Sequence, residues 1–133
     1  MKAGLLLVTH GKLGQDMLDT ATTILGNCPL SAAAIPVHTD CEPDAMFETA
    51  SKACSELDQG DGVLVLTDLY GSTPSNIATR LTERHAVHVI SGVNIPMLLR
   101  IMNYPELRLD MLAEKAASGA RDGIIVTAHK QAS

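Results

Sequence analysis

The sequence predicts an α/β fold, an open and mostly parallel sheet with helices on both faces. Five short apolar runs recur along the chain, most of them continuous rather than alternating. A strand that is apolar at nearly every position is one covered on both sides, as in parallel sheets. Between the runs, apolar residues repeat at helical spacing. Strands and helices that alternate in this way, joined by right-handed crossovers, build a single open sheet.

The first run, AGLLLVT from Ala3, predicts a strand, and Met17, Ala21, Ile24 and Leu25 then fall on one helical face. The second run is SAAAIPV from Ser31. Its helix opens at Pro43, a residue suited to a first turn, and points Met46, Ala50, Ala53, Cys54 and Leu57 inward. The third run is GVLVLT from Gly62. A short helix follows from Pro74, capped by Thr73, with Ile77, Ala78 and Leu81 inward. After the fourth run, AVHVIS from Ala86, Pro96 opens a helix that Asn94 caps. Pro105 precedes a fifth helix, which Gly119 is expected to end. The last run, GIIVTA from Gly123, predicts a fifth strand, and the polar tail after Ala128 is expected to fray. No linker or repeat interrupts the pattern, so residues 1–133 are expected to form one domain.

Hydrophobic residues make up 46% of the chain, enough for a real core, whereas aromatics are 2% with no Trp. Few aromatics and a net charge of −5 argue against binding nucleic acid by stacking or by phosphate contacts. The same charge suits docking on a basic protein face. Cys28, Cys41 and Cys54 are odd in number and form no CxxC pair, which points to a reducing compartment. The first run is too short for a signal-peptide core, and no stretch approaches the ~18 apolar residues of a membrane span. A cytoplasmic protein without membrane insertion is expected.

In open α/β sheets, ligands bind at the carboxyl ends of the strands. Four loops should share that rim: Thr9-His10-Gly11, His38-Thr39-Asp40, TDLYGSTPSN from Thr67, and SGVNIP from Ser91. If the first and third strands are neighbours, His10 and Asp68 meet there. A carboxylate bonded to one ring N–H fixes the imidazole tautomer and makes the other nitrogen a better nucleophile. Gly71, Ser72 and Thr73 lead into a helix start, where backbone N–H groups form an anion site and hydroxyls add donors. The P-loop lysine pattern is absent. A nucleophilic imidazole beside an anion cradle points to phosphoryl transfer onto histidine. No magnesium or other cofactor is required if the donor is itself a phosphohistidine.

Each residue taken alone has a plainer reading. His10 could be a hydrogen-bonded loop histidine, Asp68 a helix-entry carboxylate, and Ser72 and Thr73 ordinary caps. It is the combination that favours a site. His38 and Cys41 follow the second strand, but their spacing is not that of a metal site, and no metal is expected. His85, His88 and His129 read as structural or solvated.

The combination VTHGKLG, LTDLYGSTPSN and SGVNIPMLL resembles the mannose-type enzyme IIA domain of the bacterial sugar phosphotransferase system (PTS), in order and over nearly the whole chain. The resemblance implies that His10 accepts a phosphoryl group from the histidine-phosphocarrier protein and passes it to an enzyme IIB partner. It implies that Asp68 orients His10, with Nε2 phosphorylated and Nδ1–H facing the carboxylate. It places Gly71, Ser72 and Thr73 at the family's phosphate-binding turn, while His38 lies outside the family's pattern. It further implies the strand order 2-1-3-4 with a fifth edge strand, and a homodimer joined partly through that strand. Many relatives carry a IIB domain in the same chain. Here a separate IIB protein is expected, in sugar uptake or in regulation. Two other readings stay open. A tetrapyrrole chelatase also begins with a strand ending in His-Gly, but wants a second histidine on the rim where the third loop has Asp68. A non-catalytic regulatory module of the same fold would bind a partner without covalent transfer.

Overall fold

In the computed structural model, which describes residues 2–131, strands and helices alternate as the apolar runs predict. The elements are β1 (Gly4–His10), α1 (Leu13–Leu25), β2 (Ala32–Val37), α2 (Pro43–Leu57), β3 (Val63–Thr67), α3 (Thr73–Arg80), β4 (Val87–Ser91), α4 (Ile95–Met102) and α5 (Leu109–Asp122). A short 3-10 turn, Leu81–Glu83, follows α3. The four strands are all parallel and stand in the order β2-β1-β3-β4. Among the described residues, no helix is long and apolar enough to cross a membrane.

Strand geometry divides the core. Successive side chains point to opposite faces, so Leu5 and Leu7 pack with Leu64 and Leu66 against Leu18, Leu98, Ile101 and Leu112 on one side. Leu6 and Val8 join Val63 and Val65 against Phe47, Cys54, Ile77 and Leu81 on the other. Every one of the central strand residues Leu5 to Val8 is fully buried, each worth about 1.5–3 kcal/mol of apolar transfer. This explains the unbroken apolar run at the N-terminus. It also sets the direction of His10, which continues the row of Leu6 and Val8 toward α2 and α3.

Four expectations need correction. The α3 N-cap is Ser72, in extended backbone, and Thr73 is the first helical residue, with Pro74 one place further in. Pro suits either of the first helical positions, so its place did not fix the cap. In α1, Ala21 is buried and Met17 and Leu25 pack against the core as expected, with Gly14 and Leu18 added to that face, but Ile24 is 59% exposed.

Helix α5 does not stop at Gly119 but continues to Asp122. Gly119 serves packing instead. A Cβ there would stand 2.5 Å from Arg100 Cβ, so the missing side chain lets α5 lie close on α4. The predicted fifth strand is not formed within the single chain, and the sheet has four strands among the described residues. Ile124, Ile125 and Val126 are 71%, 76% and 90% exposed. An apolar pattern records a capacity to pair, whereas pairing needs a backbone alongside. The longer α5 delivers this run next to Pro96, where a Cβ on Gly123 would meet the proline ring at 2.3 Å, and not into the β4 ladder.

Candidate active site

The rim begins where β1 ends. His10 is in register with Val37 of β2, and the Gly11 N–H donates to the Val37 carbonyl at 2.9 Å. Gly11 then turns with φ +48°, a conformation that glycine adopts without steric cost. Thr9, buried on the opposite face, accepts the Gly14 N–H on Oγ1 at 2.7 Å. That bond satisfies one of the amides left open in the first turn of α1. Sequence reading missed this role, because a cap supplied from the preceding strand has no fixed local spacing.

Asp68 follows β3, the other neighbour of β1. Its Oδ2 lies 2.7 Å from His10 Nδ1 and accepts the His10 backbone N–H at 3.1 Å. Its Oδ1 accepts from the Leu69 N–H at 3.1 Å and from the Thr67 hydroxyl at 3.4 Å. Burial pushes the carboxyl up, but the hydrogen bonds from the ring and backbone of His10 outweigh it and hold Asp68 below the usual carboxylate range. An ionised carboxylate can only accept, so Nδ1 carries the hydrogen, and in the neutral imidazole the lone pair is then on Nε2. The Asp68 side chain is 12% exposed and that of His10 50%, so the ring is anchored at one nitrogen and open at the other.

A cleft of about 280 Å³ adjoins the imidazole, its walls including His10, His38, Cys41, Pro43, Thr73 and Pro74. Of the three predicted cradle residues, only Thr73 lines it. The Gly71 N–H donates to Ser75 Oγ at 3.3 Å. The Ser72 N–H and hydroxyl both donate to the Leu69 carbonyl, at 3.3 and 2.6 Å. The turn is thus closed by its own bonds, which the motif's residue types did not disclose. Asn94 is the α4 cap, accepting the Met97 N–H at 2.9 Å, and its amide also donates to Ala120 O at 3.2 Å, tying α4 to α5. Among the described residues, no three His, Cys, Asp or Glu side chains are grouped to hold a metal ion.

Fold and rim together define a class of protein: an open parallel α/β domain whose central strands present a carboxylate-oriented histidine. Residues 4–117 match the family described as PTS system fructose IIA component, EIIA-man, and the chain belongs to that family, as a PTS IIA component of the mannose type. It is 29% identical over 127 residues to the PTS system mannose-specific EIIAB component of Escherichia coli (strain K12), covering 93% of this chain and 39% of that protein. It is 31% identical over 114 residues to the transcriptional regulatory protein LevR of Bacillus subtilis (strain 168), covering 81% of this chain and 12% of that one. The chain therefore spans well under half the length of these curated relatives. In fold it is similar to the mannose/sorbose specific IIA subunit from Enterococcus faecalis, with a TM-score of 0.87 at 23% identity over the whole of both chains.

Proposed function

We propose that this domain is a cytoplasmic phosphocarrier. His10 takes a phosphoryl group from the phosphohistidine of the histidine-phosphocarrier protein and passes it to an enzyme IIB partner. The observation that carries this reading is the 2.7 Å contact of His10 Nδ1 with Asp68 Oδ2, which leaves Nε2 as the free nucleophile. In the first transfer the Nε2 lone pair attacks phosphorus. The Nε2–P bond forms as the donor's N–P bond breaks, and that bonding pair returns to the donor imidazole. The His10 ring gains positive character during the attack, and the ionised Asp68 stabilises it. No net proton moves, because Nδ1 keeps its hydrogen toward Asp68. The second transfer is the same displacement, with the IIB nucleophile attacking the phosphorus on His10.

The phosphoryl oxygens would meet Thr73 and the positive end of α3. Gly71 shapes that turn at φ +84°. Ser72 joins as a donor only if its hydroxyl swings away from Leu69 O. Incubation with the phosphorylated carrier should leave an acid-labile, alkali-stable phosphate on His10. Equal labelling of His10→Ala would sink the assignment.

The homodimer belongs to the same proposal. The exposed Ile124, Ile125 and Val126 suit pairing with the outer edge of β4 in a second copy. Such pairing would cover apolar surface that one chain leaves in solvent.

A further inference from the structure

We infer that His38 is a second imidazole of the site, one that in its protonated form donates to the phosphoryl oxygens carried by His10. The inference rests on the reading of His10 as the phosphorylated residue, and goes beyond it by naming a second group of the cleft that meets the phosphate.

Placement comes first. His38 follows Val37, the register partner of His10, and Val37 also accepts the Gly11 N–H that extends the ladder. Adjacent strands lie about 4.8 Å apart, and His38 is the first residue beyond the strand end that pairs with His10. The Cys41 N–H donates to the His38 carbonyl at 3.1 Å, closing a turn that holds His38 at the cleft. His10 and His38 both line the same cavity of about 280 Å³.

Charge supplies the second half. A phosphoryl group on Nε2 brings about −2 near the ionised Asp68. The helix start offers less relief than its sequence suggests, since Gly71 and Ser72 direct their donors into the turn. Among the described residues lining the cleft, His38 is the side chain other than His10 that can carry positive charge. Lys12 lines a different cavity, on the α1 side of Gly11. The titratable groups around His38 are His10 and Cys41 in the cleft, Asp68 behind His10, and Asp40 and Glu42 beside it in sequence. Of these, only the phosphoryl on His10 changes charge when the group is transferred.

The test is a histidine-resolved NMR titration of the full chain between about pH 5.5 and 8.5, with and without phosphorylation maintained by the phosphorylated carrier protein. Phosphorylation should raise the midpoint of the His38 ring by about one pH unit, as an opposite charge within a few ångström does. His88 and His129 are internal standards and should stay in place. By linkage, the phosphorylated fraction at equilibrium should climb more steeply toward acid in the native chain than in His38→Ala. His38→Gln, which donates but does not titrate, should restore part of the level and none of the slope. Label on His10 with an unmoved His38 overturns this inference alone. No label on His10 overturns the phosphocarrier reading, and this inference with it.

Discussion

One carboxylate oxygen, Asp68 Oδ2, accepts from both the ring Nδ1 and the backbone N–H of His10, at 2.7 and 3.1 Å. The two residues stand 58 positions apart and meet because β3 lies directly beside β1. Gripping the residue by its ring and its amide fixes both the position of the imidazole and its rotation. Nε2 is thereby the ring nitrogen left without a contact to Asp68.

Asp68→Asn should keep the fold and slow phosphoryl uptake. Exchanging a charge-assisted hydrogen bond for a neutral one costs about 1 kcal/mol, which corresponds to roughly a 5-fold slower transfer. Single-turnover labelling of the native chain and the variant measures it. Equal rates would remove the orienting role.

The lowered carboxyl of Asp68 has a signature in stability. A group whose folded pKa lies below its unfolded value, about 3.9 for Asp, stabilises the fold above that value. The contribution is lost as pH falls through the lower, folded pKa. Denaturant unfolding of the native chain and of Asp68→Asn should show a stability gap at pH ~6 that narrows steadily toward pH ~2. A gap that widens in acid would contradict the direction of the shift.

Gly119→Ala tests the contact between α4 and α5. By helix propensity alone, alanine would stabilise by about 1 kcal/mol. The new Cβ would instead sit 2.5 Å from Arg100 Cβ and 2.8 Å from its Cγ. Neither atom is the free end of the side chain, so the helices must separate. Overpacking of this kind costs about 1–3 kcal/mol, and the expected outcome of a urea titration is net destabilisation.

Asn94→Ala removes a cap and a tie between helices in one step. A loss of about 1–2 kcal/mol is expected, read as a lower Tm. Labelling of His10 at 25 °C should be unchanged, which would separate Asn94 from the transfer chemistry.

The dimer proposal predicts the response of the last apolar run. Replacing Ile124 and Val126 together by Ser should shift the molar mass from light scattering from two chains to one. If the native chain is monomeric at the highest concentrations reached, the exposed run needs a different explanation.

Much of the architecture was legible in the sequence because it is written in local patterns. The continuous run from Leu5 to Val8 marks a strand buried on both faces, and Pro43 and Asn94 mark helix starts where the structure has them. His10 and Asp68 stood out as polar residues closing apolar strands. The order 2-1-3-4 came from resemblance, since nothing local states which strands are neighbours. What is not legible also has one cause. Gly119 looks locally like a helix stop, whereas its partner is Arg100 on another helix. The run from Ile124 has the pattern of a strand, whereas strand formation depends on a neighbouring edge that the single chain does not offer it.

By itself, then, the sequence determined the alternation of strands and helices, the burial of the central strands, and a histidine and a carboxylate at one rim. Those follow from side-chain spacing and backbone preference within a few residues. Only the tertiary structure decided that Asp68 holds Nδ1 and leaves Nε2 open, that Gly71 and Ser72 close their own turn, and that His38 shares the cleft with His10. Hydrogen bonds and shared cavities join residues distant along the chain, and their directions exist only once the backbone is folded.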